Sequence, residues 1–188
     1  MVETYARGTD SQNARDFLDL RNWMSGGDLP YTVKYYTSMF NLEILRNTTG
    51  GGRYRAVICL LLRNHAKDFR TGQAISTSLI LDENIEDHHV FPDRYLGNTV
   101  KDWSKRNCVL NRALVDELTN QTIGQKAPSK YLREIELKVR SDRLEEILKS
   151  QFLPIESSSG LFMDDYDQFL IERQRLIAKE IETVVMLP

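Results

Sequence analysis

The chain has 188 residues and a formal net charge of −2 at pH 7, with 41% hydrophobic and 28% charged residues. This length suits one domain with a packed core, and the small net charge excludes a surface that binds nucleic acid over its whole area. The longest apolar run, at 56–62, is too short to cross a bilayer, which takes roughly 20 residues in a helix. Any nucleic-acid site must therefore be local.

The N-terminus lacks the basic and apolar segments of a signal peptide. The two cysteines, Cys59 and Cys108, lie far apart in the chain. We expect both to be buried thiols in a reducing compartment. These features predict a cytoplasmic protein that has no contact with the membrane.

The first part of the chain is predicted to be helical. Apolar residues recur at helical spacing over 11–24, and Pro30 suits the first turn of a second helix that continues to about residue 45. A glycine-rich loop separates it from a third helix, predicted over 53–69. Alternating β-branched residues then predict a strand at 75–80.

A small β element is predicted in the middle of the chain, where 86–91 and 109–115 have the composition of strands. The next segment, 117–123, is predicted to be a short helix that ends at Gly124, and Pro128 begins another helix.

Two more helices are predicted in the last part of the chain. Asp142 and Glu145 have the spacing of a capping pair at the start of one helix, and 164–185 is expected to be the longest helix. The fold class predicted for 1–188 is α+β, a mostly helical single domain surrounding a small two-strand and helix core. Its parts are N-terminal helices at 1–76, the core at 77–132 and C-terminal helices at 133–188.

The candidate site is formed by His88 and His89 at the end of the first predicted strand, with Asn111 and Asn120 after them. Phosphodiester hydrolysis needs a base for the attacking water and positive charge near the phosphoryl oxygens. A neutral imidazole supplies the first and a divalent ion the second. The two histidines can divide these roles, Asn120 can offer the ion an amide oxygen, and Asn111 can bond the loop or ring of His89. These ligand types suit magnesium, manganese, nickel or zinc, and so do not select the metal.

Each part of this pattern has an ordinary interpretation. Asparagines are common in turns, and Pro92 can simply end a strand. A histidine pair alone would therefore favour the ordinary interpretation. The pair followed by both asparagines in register favours a catalytic site. The third histidine, His65, is interpreted as a structural or surface residue.

The segment from His88 to Pro92, together with Asn111 and Asn120, resembles the HNH signature of ββα-metal nucleases. With the segments 119–126 and 128–132 included, the chain is similar to the C-terminal nuclease part of GmrSD-type, modification-dependent restriction proteins. The similarity extends over about 53–185.

This resemblance implies a metal-dependent DNA endonuclease that nicks DNA in restriction or anti-phage defence. It gives His89 the role of general base and Asn111 that of the residue that orients it. It places a divalent ion, with magnesium or manganese favoured over nickel or zinc, on His88 and Asn120, with a weaker contact from Asp87 or Glu86. Relatives of this type carry an N-terminal sensor of modified DNA. A sensor domain of the same parent chain is therefore an expected partner, and a stand-alone nuclease is the alternative.

Basic residues concentrate after the histidines and are predicted to bind DNA phosphates, although a solvated face is a near-equal alternative. Two other functions compete with a nuclease: an inactive nucleic-acid-binding or regulatory module on the same scaffold, and a structural zinc site. The zinc site is disfavoured, because structural zinc takes four protein ligands. The predicted DNA-binding residues are Lys101, Lys105, Arg106, Arg112, Lys126 and Lys130.

Overall fold

The structure, a computed structural model, describes residues 10–31, 42–75 and 85–185. Within these ranges, helices surround one two-stranded antiparallel sheet, which confirms the predicted α+β, mostly helical class. Two short 3₁₀ helices, Leu42–Asn47 and Val109–Asn111, connect larger elements. The elements are α1 Asp10–Met24, α2 Gly51–Arg63, β1 Ile85–His89, α3 Asp93–Leu96, α4 Trp103–Arg106, β2 Arg112–Asp116, α5 Glu117–Ile123, α6 Pro128–Val139, α7 Ser141–Ser150 and α8 Tyr166–Val185.

The sheet and the helix after it form a compact ββα unit. β1 pairs with β2 from Ile85 opposite Asp116 to His89 opposite Arg112. Helix α5 begins directly after β2, because the Asp116 carboxylate accepts a hydrogen bond from the amide of Thr119 at 2.6 Å and caps the helix. The start of β1 thus lies opposite the cap of α5, while the end of β1 shares a pocket with Asn120 and with the turn that follows α5.

Helix α8 is a core helix, because its side chains pack under the end of β1. The ring of Phe91 lies 4.9 Å from that of Phe169 and 5.1 Å from that of Tyr166, between centroids. Arg173 is fully buried and donates to the carbonyls of Leu110 at 2.7 Å and Gln151 at 3.1 Å. Burial lowers the pKa of its guanidinium to about 10, which still leaves it charged at neutral pH. These two bonds join the C-terminal helix to the segment before β2 and to the end of α7.

The far edge of β2 is covered by a side chain instead of a third strand. Gln151, which is fully buried, accepts from the amide of Leu114 at 3.0 Å and donates to its carbonyl at 2.5 Å. It also donates to the carbonyl of Lys67 at 2.9 Å. The amide thus satisfies backbone groups that an isolated edge strand would leave unpaired.

Several predicted boundaries of helices and strands are wrong, because tertiary contacts override the local sequence pattern. The helix predicted over 53–69 ends at Arg63, because Asn64 bonds the carbonyls of Lys149 and Ser150 and His65 takes a φ of 52°. The second strand begins at Arg112 and not at residue 109, since the preceding three residues form the buried 3₁₀ helix.

The C-terminal predictions also need correction. The prediction that Asp142 and Glu145 form a capping pair is wrong. Helix α7 follows Arg140 with no side-chain cap, and Glu145 pairs with Lys149. The longest helix begins at Tyr166, since Asp164 has a φ of 57° and accepts hydrogen bonds from Ser129.

Other expectations fall partly outside the described residues. This holds for the helix from Pro30 up to residue 41 and for the strand at 75–80 beyond Ile75. The prediction of two buried thiols is wrong for Cys59, which is exposed, and confirmed for Cys108. In the part of the chain that the structure describes, no helix combines the length and apolarity that a membrane span requires.

Candidate active site

An open pocket of about 240 Å³ lies where β1 ends beside α5. Four of the predicted site residues line it: Asp87, His88 and His89 from β1, and Asn120 from α5. The ββα connection explains this, because the end of β1 and the second turn of α5 face each other. The complete lining is Asp87, His88, His89, Pro92, Asp93, Arg94, Asn120, Gly124 and Gln125.

His88 is a buried histidine with an unused ring nitrogen. Its Nε2 atom is buried and has no hydrogen-bond partner among the described residues. Burial lowers the pKa of its imidazole to about 4, repulsion between the two neighbouring imidazoles in their protonated forms adds to this, and a side-chain hydrogen bond with Asn120 opposes it. The ring is therefore neutral at neutral pH, and its lone pair is available to an electrophile.

His89 is also held in the neutral state. Burial lowers the pKa of its imidazole, and the charge of Arg112 lowers it further, whereas Asn107 and Asp93 act in the opposite direction. Its Nε2 atom lies 2.9 Å from Oδ1 of Asn107. A neutral imidazole beside an open pocket has the properties that a general base requires.

Asn111 holds the loop after β1 and makes no hydrogen bond to the ring of His89. It is fully buried, accepts from the amide of Phe91 at 2.8 Å, and donates to the carbonyls of Phe91 at 3.0 Å and Arg106 at 2.8 Å. Of the two predicted partners, loop or ring, the structure places the loop against Asn111. Tyr131 adds a second support, because its hydroxyl donates to the carbonyl of Val90 at 2.9 Å.

Asp87 lies on the pocket wall beside Arg112. Burial raises the pKa of its carboxyl to about 6, although the charges of Arg112 and Arg173 oppose the shift. Its Oδ1 atom is buried without a hydrogen bond and lies 3.8 Å from Nε of Arg112. The carboxylate is thus placed for a weak or water-mediated contact. The side chain of Glu86 lies outside what the structure describes.

Asn120 is positioned by residues of the loop after α2, which contact the first turn of α5. The carboxylate of Asp68, which is 3% exposed, accepts from the amide of Asp116 and the hydroxyl of Thr119, both at 3.0 Å. Arg70 pairs with Asp116 at 3.2 Å. The loop after α2 therefore fixes the first turn of α5, and with it the direction of Asn120.

Most of the predicted DNA-binding residues bond within the protein. Arg106 donates to Asp93 at 2.6 Å, Lys105 pairs with Asp167 at 2.5 Å, and Lys126 pairs with Glu134 at 2.6 Å.

The other three predicted cations differ among themselves. Arg112 donates to the Asp87 carbonyl at 3.1 Å and to Asn107 at 3.0 Å, so it belongs to the scaffold of the site. The exposed side chain of Lys101 reaches only the carbonyl of Gly97, while that of Lys130 is exposed and makes no hydrogen bond or ion pair with a described residue.

Two residues of the site escaped the sequence-based prediction. Asn107 contacts His89, but it precedes β2 and belongs to no part of the recognised pattern. Arg94 is exposed, lines the pocket and has no hydrogen bond or ion pair with a described residue. The one sequence feature that could have indicated Arg94 is its position two residues after Pro92, close to the histidine pair.

The residues in the pocket fit a hard or borderline divalent ion. Within the described ranges, no group of three or more histidine, cysteine, aspartate or glutamate side chains is placed to hold a metal. The candidate donors are of a different kind, because they combine the unpartnered Nε2 of His88 with the amide oxygen of Asn120. Ions such as magnesium are commonly held by few protein ligands, with water and phosphate completing the shell.

Comparison with known proteins adds a distant relative. The chain is 25% identical over 207 aligned positions to "Uncharacterized protein MJ0686" of Methanocaldococcus jannaschii, with 95% of this chain covered. The chain spans 34% of the length of that relative. No family model matches the chain, and no solved structure does.

Proposed function

We propose that this domain is a metal-dependent DNA endonuclease of the HNH type, which hydrolyses phosphodiester bonds and nicks DNA. The observation that carries the proposal is that two neutral imidazoles and the Asn120 side chain line one pocket of a ββα unit. The proposal includes a role in restriction or anti-phage defence, a cytoplasmic location and two partners. These partners are DNA, with or without modified bases, and a sensor domain of the same parent chain.

The residues of the pocket divide the chemistry between them. His89 accepts the proton of the attacking water, because its ring is neutral and lines the open pocket. Arg94, on the same wall, contacts a phosphate oxygen of the substrate. Asn111 keeps the backbone after His89 in one conformation, so that the ring stays aimed at the substrate.

A divalent ion, magnesium or manganese by preference, would be held by His88 and Asn120, with Asp87 as a weaker contributor. When bound, such an ion offsets the negative charge on the phosphoryl oxygens and on the departing oxygen. The buried and unpartnered Nε2 of His88 supports this assignment, because burying a polar atom without a partner is costly and a ligand would relieve that cost.

The proposal is tested by nicking of supercoiled plasmid, with and without modified bases, in magnesium, manganese or chelator. His89→Ala should lower the rate by about 10²–10⁴-fold, the usual contribution of a general base. His65→Ala is the matched control, because His65 is exposed and does not line the pocket. Both variants should stay folded, as judged by a cooperative unfolding transition in urea.

Nicking by His89→Ala at the parent rate would remove His89 as the base. A parent protein that binds DNA but leaves it intact in all these ions would instead match an inactive nucleic-acid-binding module.

A further inference from the structure

We infer that Asn107 fixes the tautomer of His89, so that the proton lies on Nε2 and Nδ1 is the atom that accepts a proton from water. Asn107 is therefore a positioning residue. The tautomer follows from hydrogen-bond geometry alone, while the role given to Nδ1 rests on the proposed nuclease function.

The first step is the orientation of the Asn107 amide. Its Oδ1 atom lies 3.0 Å from Nη2 of Arg112, and a guanidinium can only donate. Its Nδ2 atom lies 3.0 Å from the carbonyl of Trp103, and a carbonyl oxygen can only accept. Rotating the amide by 180° would set donor against donor and acceptor against acceptor. The oxygen of Asn107 must therefore face Arg112.

The second step concerns the ring of His89. Its Nε2 atom lies 2.9 Å from the same Oδ1 atom, which the first step identifies as an oxygen. An amide oxygen only accepts, so Nε2 must carry a hydrogen. In a neutral imidazole the other nitrogen, Nδ1, then holds the lone pair.

The third step is the rigidity of this arrangement. Asn107 is 8% exposed, and the side chain of Arg112 is 17% exposed. Arg112 is itself anchored, because Nη1 donates to the carbonyl of Asp87 at 3.1 Å. The chain of bonds from Arg112 through Asn107 to His89 thus joins the start of β2 to the end of β1. Because the bonds lie largely beneath the surface, solvent competes poorly for the Nε2 hydrogen.

Nitrogen NMR of the imidazoles tests this without any cleavage reaction. The full chain is labelled with ¹⁵N and studied at pH 8 in chelator, and the three histidines are assigned with His65→Gln and His88→Gln. We expect His89 to show an unprotonated Nδ1 and a protonated Nε2. A protonated Nδ1, or a rapid average of the two tautomers, would overturn the inference.

Two substitutions separate positioning from simple packing. Asn107→Leu removes the acceptor, so the ring should become a mixture of tautomers and kcat for plasmid nicking should fall about 10–100-fold, the usual effect of losing an orienting partner. KM should change little. Asn107→Asp keeps an acceptor and should retain the Nε2–H tautomer. Asn98→Leu, at an exposed position between α3 and α4, is the control.

The possible failures are distinguishable. A folded Asn107→Leu that keeps the parent tautomer and the parent kcat would refute the positioning role. A parent protein with the expected tautomer and no nicking activity would refute the nuclease function and leave the tautomer assignment intact.

Discussion

Burial acts in opposite directions on two neighbouring side chains at the end of β1. The pKa of His88 falls to about 4, because desolvation disfavours the imidazolium. The pKa of Asp87 rises to about 6, because desolvation disfavours the carboxylate. Each shift is a difference between folded and unfolded chains, so each makes the free energy of unfolding depend on pH.

Because the pKa of His88 is lower in the folded than in the unfolded chain, this residue makes the protein less stable as the pH falls. As the pH falls below about 6.5, the unfolded chain takes up a proton that the folded chain refuses until about pH 4, so stability is lost over this window. We predict that the parent protein, relative to His88→Gln, loses about 3 kcal/mol between pH 6.5 and pH 4. Urea unfolding of both proteins in chelator, at several pH values, measures this difference.

Asp87 should give the opposite dependence of stability on pH. Its folded pKa lies above the unfolded value of 3.8, so the stability of the parent relative to Asp87→Asn is lost as the pH rises from about 4 to about 6. The side chain is 32% exposed, so we expect a smaller effect, of about 1–2 kcal/mol. Differences that run in the same direction for both variants would contradict this assignment of burial.

At the level of elements, α5 has its first turn fixed by the loop after α2. Asp68 accepts hydrogen bonds from the amides of Arg70, Thr71 and Asp116 and from the hydroxyl of Thr119. Truncating it would leave these donors without their buried partner, at a typical cost of 1–3 kcal/mol per unsatisfied group.

We predict that Asp68→Ala lowers the free energy of unfolding by about 2–4 kcal/mol and weakens manganese binding, because Asn120 loses its fixed direction. Thr122→Ala is the control, since that threonine lies in α5 and its hydroxyl bonds only the preceding turn, at the carbonyl of Leu118. Urea unfolding and calorimetric titration with manganese measure the two effects. A folded Asp68→Ala that binds manganese as the parent does would show that α5 holds Asn120 without the loop.

Elements with local signals could be predicted from the sequence. The bounds of α5 and the start of α6 follow from Asp116, Gly124 and Pro128, which act within one turn of the chain. The end of α2 could not be predicted, because the apolar pattern continues while Asn64 bonds carbonyls 85 and 86 residues away. Tertiary contacts of this kind leave no periodicity in the sequence.

The same distinction applies to the candidate site. The adjacency of His88, His89 and Asn120 follows from a recognisable spacing, and the structure brings them to one pocket. The partner of His89 could not be predicted, because Asn107 is 18 residues away and carries no local signature.

For the whole molecule, the distribution of charge matters more than its sum. The net charge is −2, and four of the six predicted DNA-binding cations pair with a carboxylate within the described structure. A cation that already pairs with a carboxylate contributes less to phosphate binding. Among the six predicted cations and the pocket-lining Arg94, those exposed without an ion pair to a described residue are Arg94, Lys101 and Lys130. The domain should therefore make few phosphate contacts.

We predict a shallow dependence of DNA affinity on salt. Three phosphate contacts give a slope of about −3 for log affinity against log salt, whereas six would give about −5. Fluorescence anisotropy with a labelled duplex, in chelator between 50 and 200 mM salt, measures the slope. Arg94→Gln should reduce it by about 0.9, because one counterion-releasing contact is lost. Lys149→Gln, on α7 and outside the pocket, should leave it unchanged. A slope near −5, or an unchanged slope in Arg94→Gln, would show that the internal ion pairs open when DNA binds.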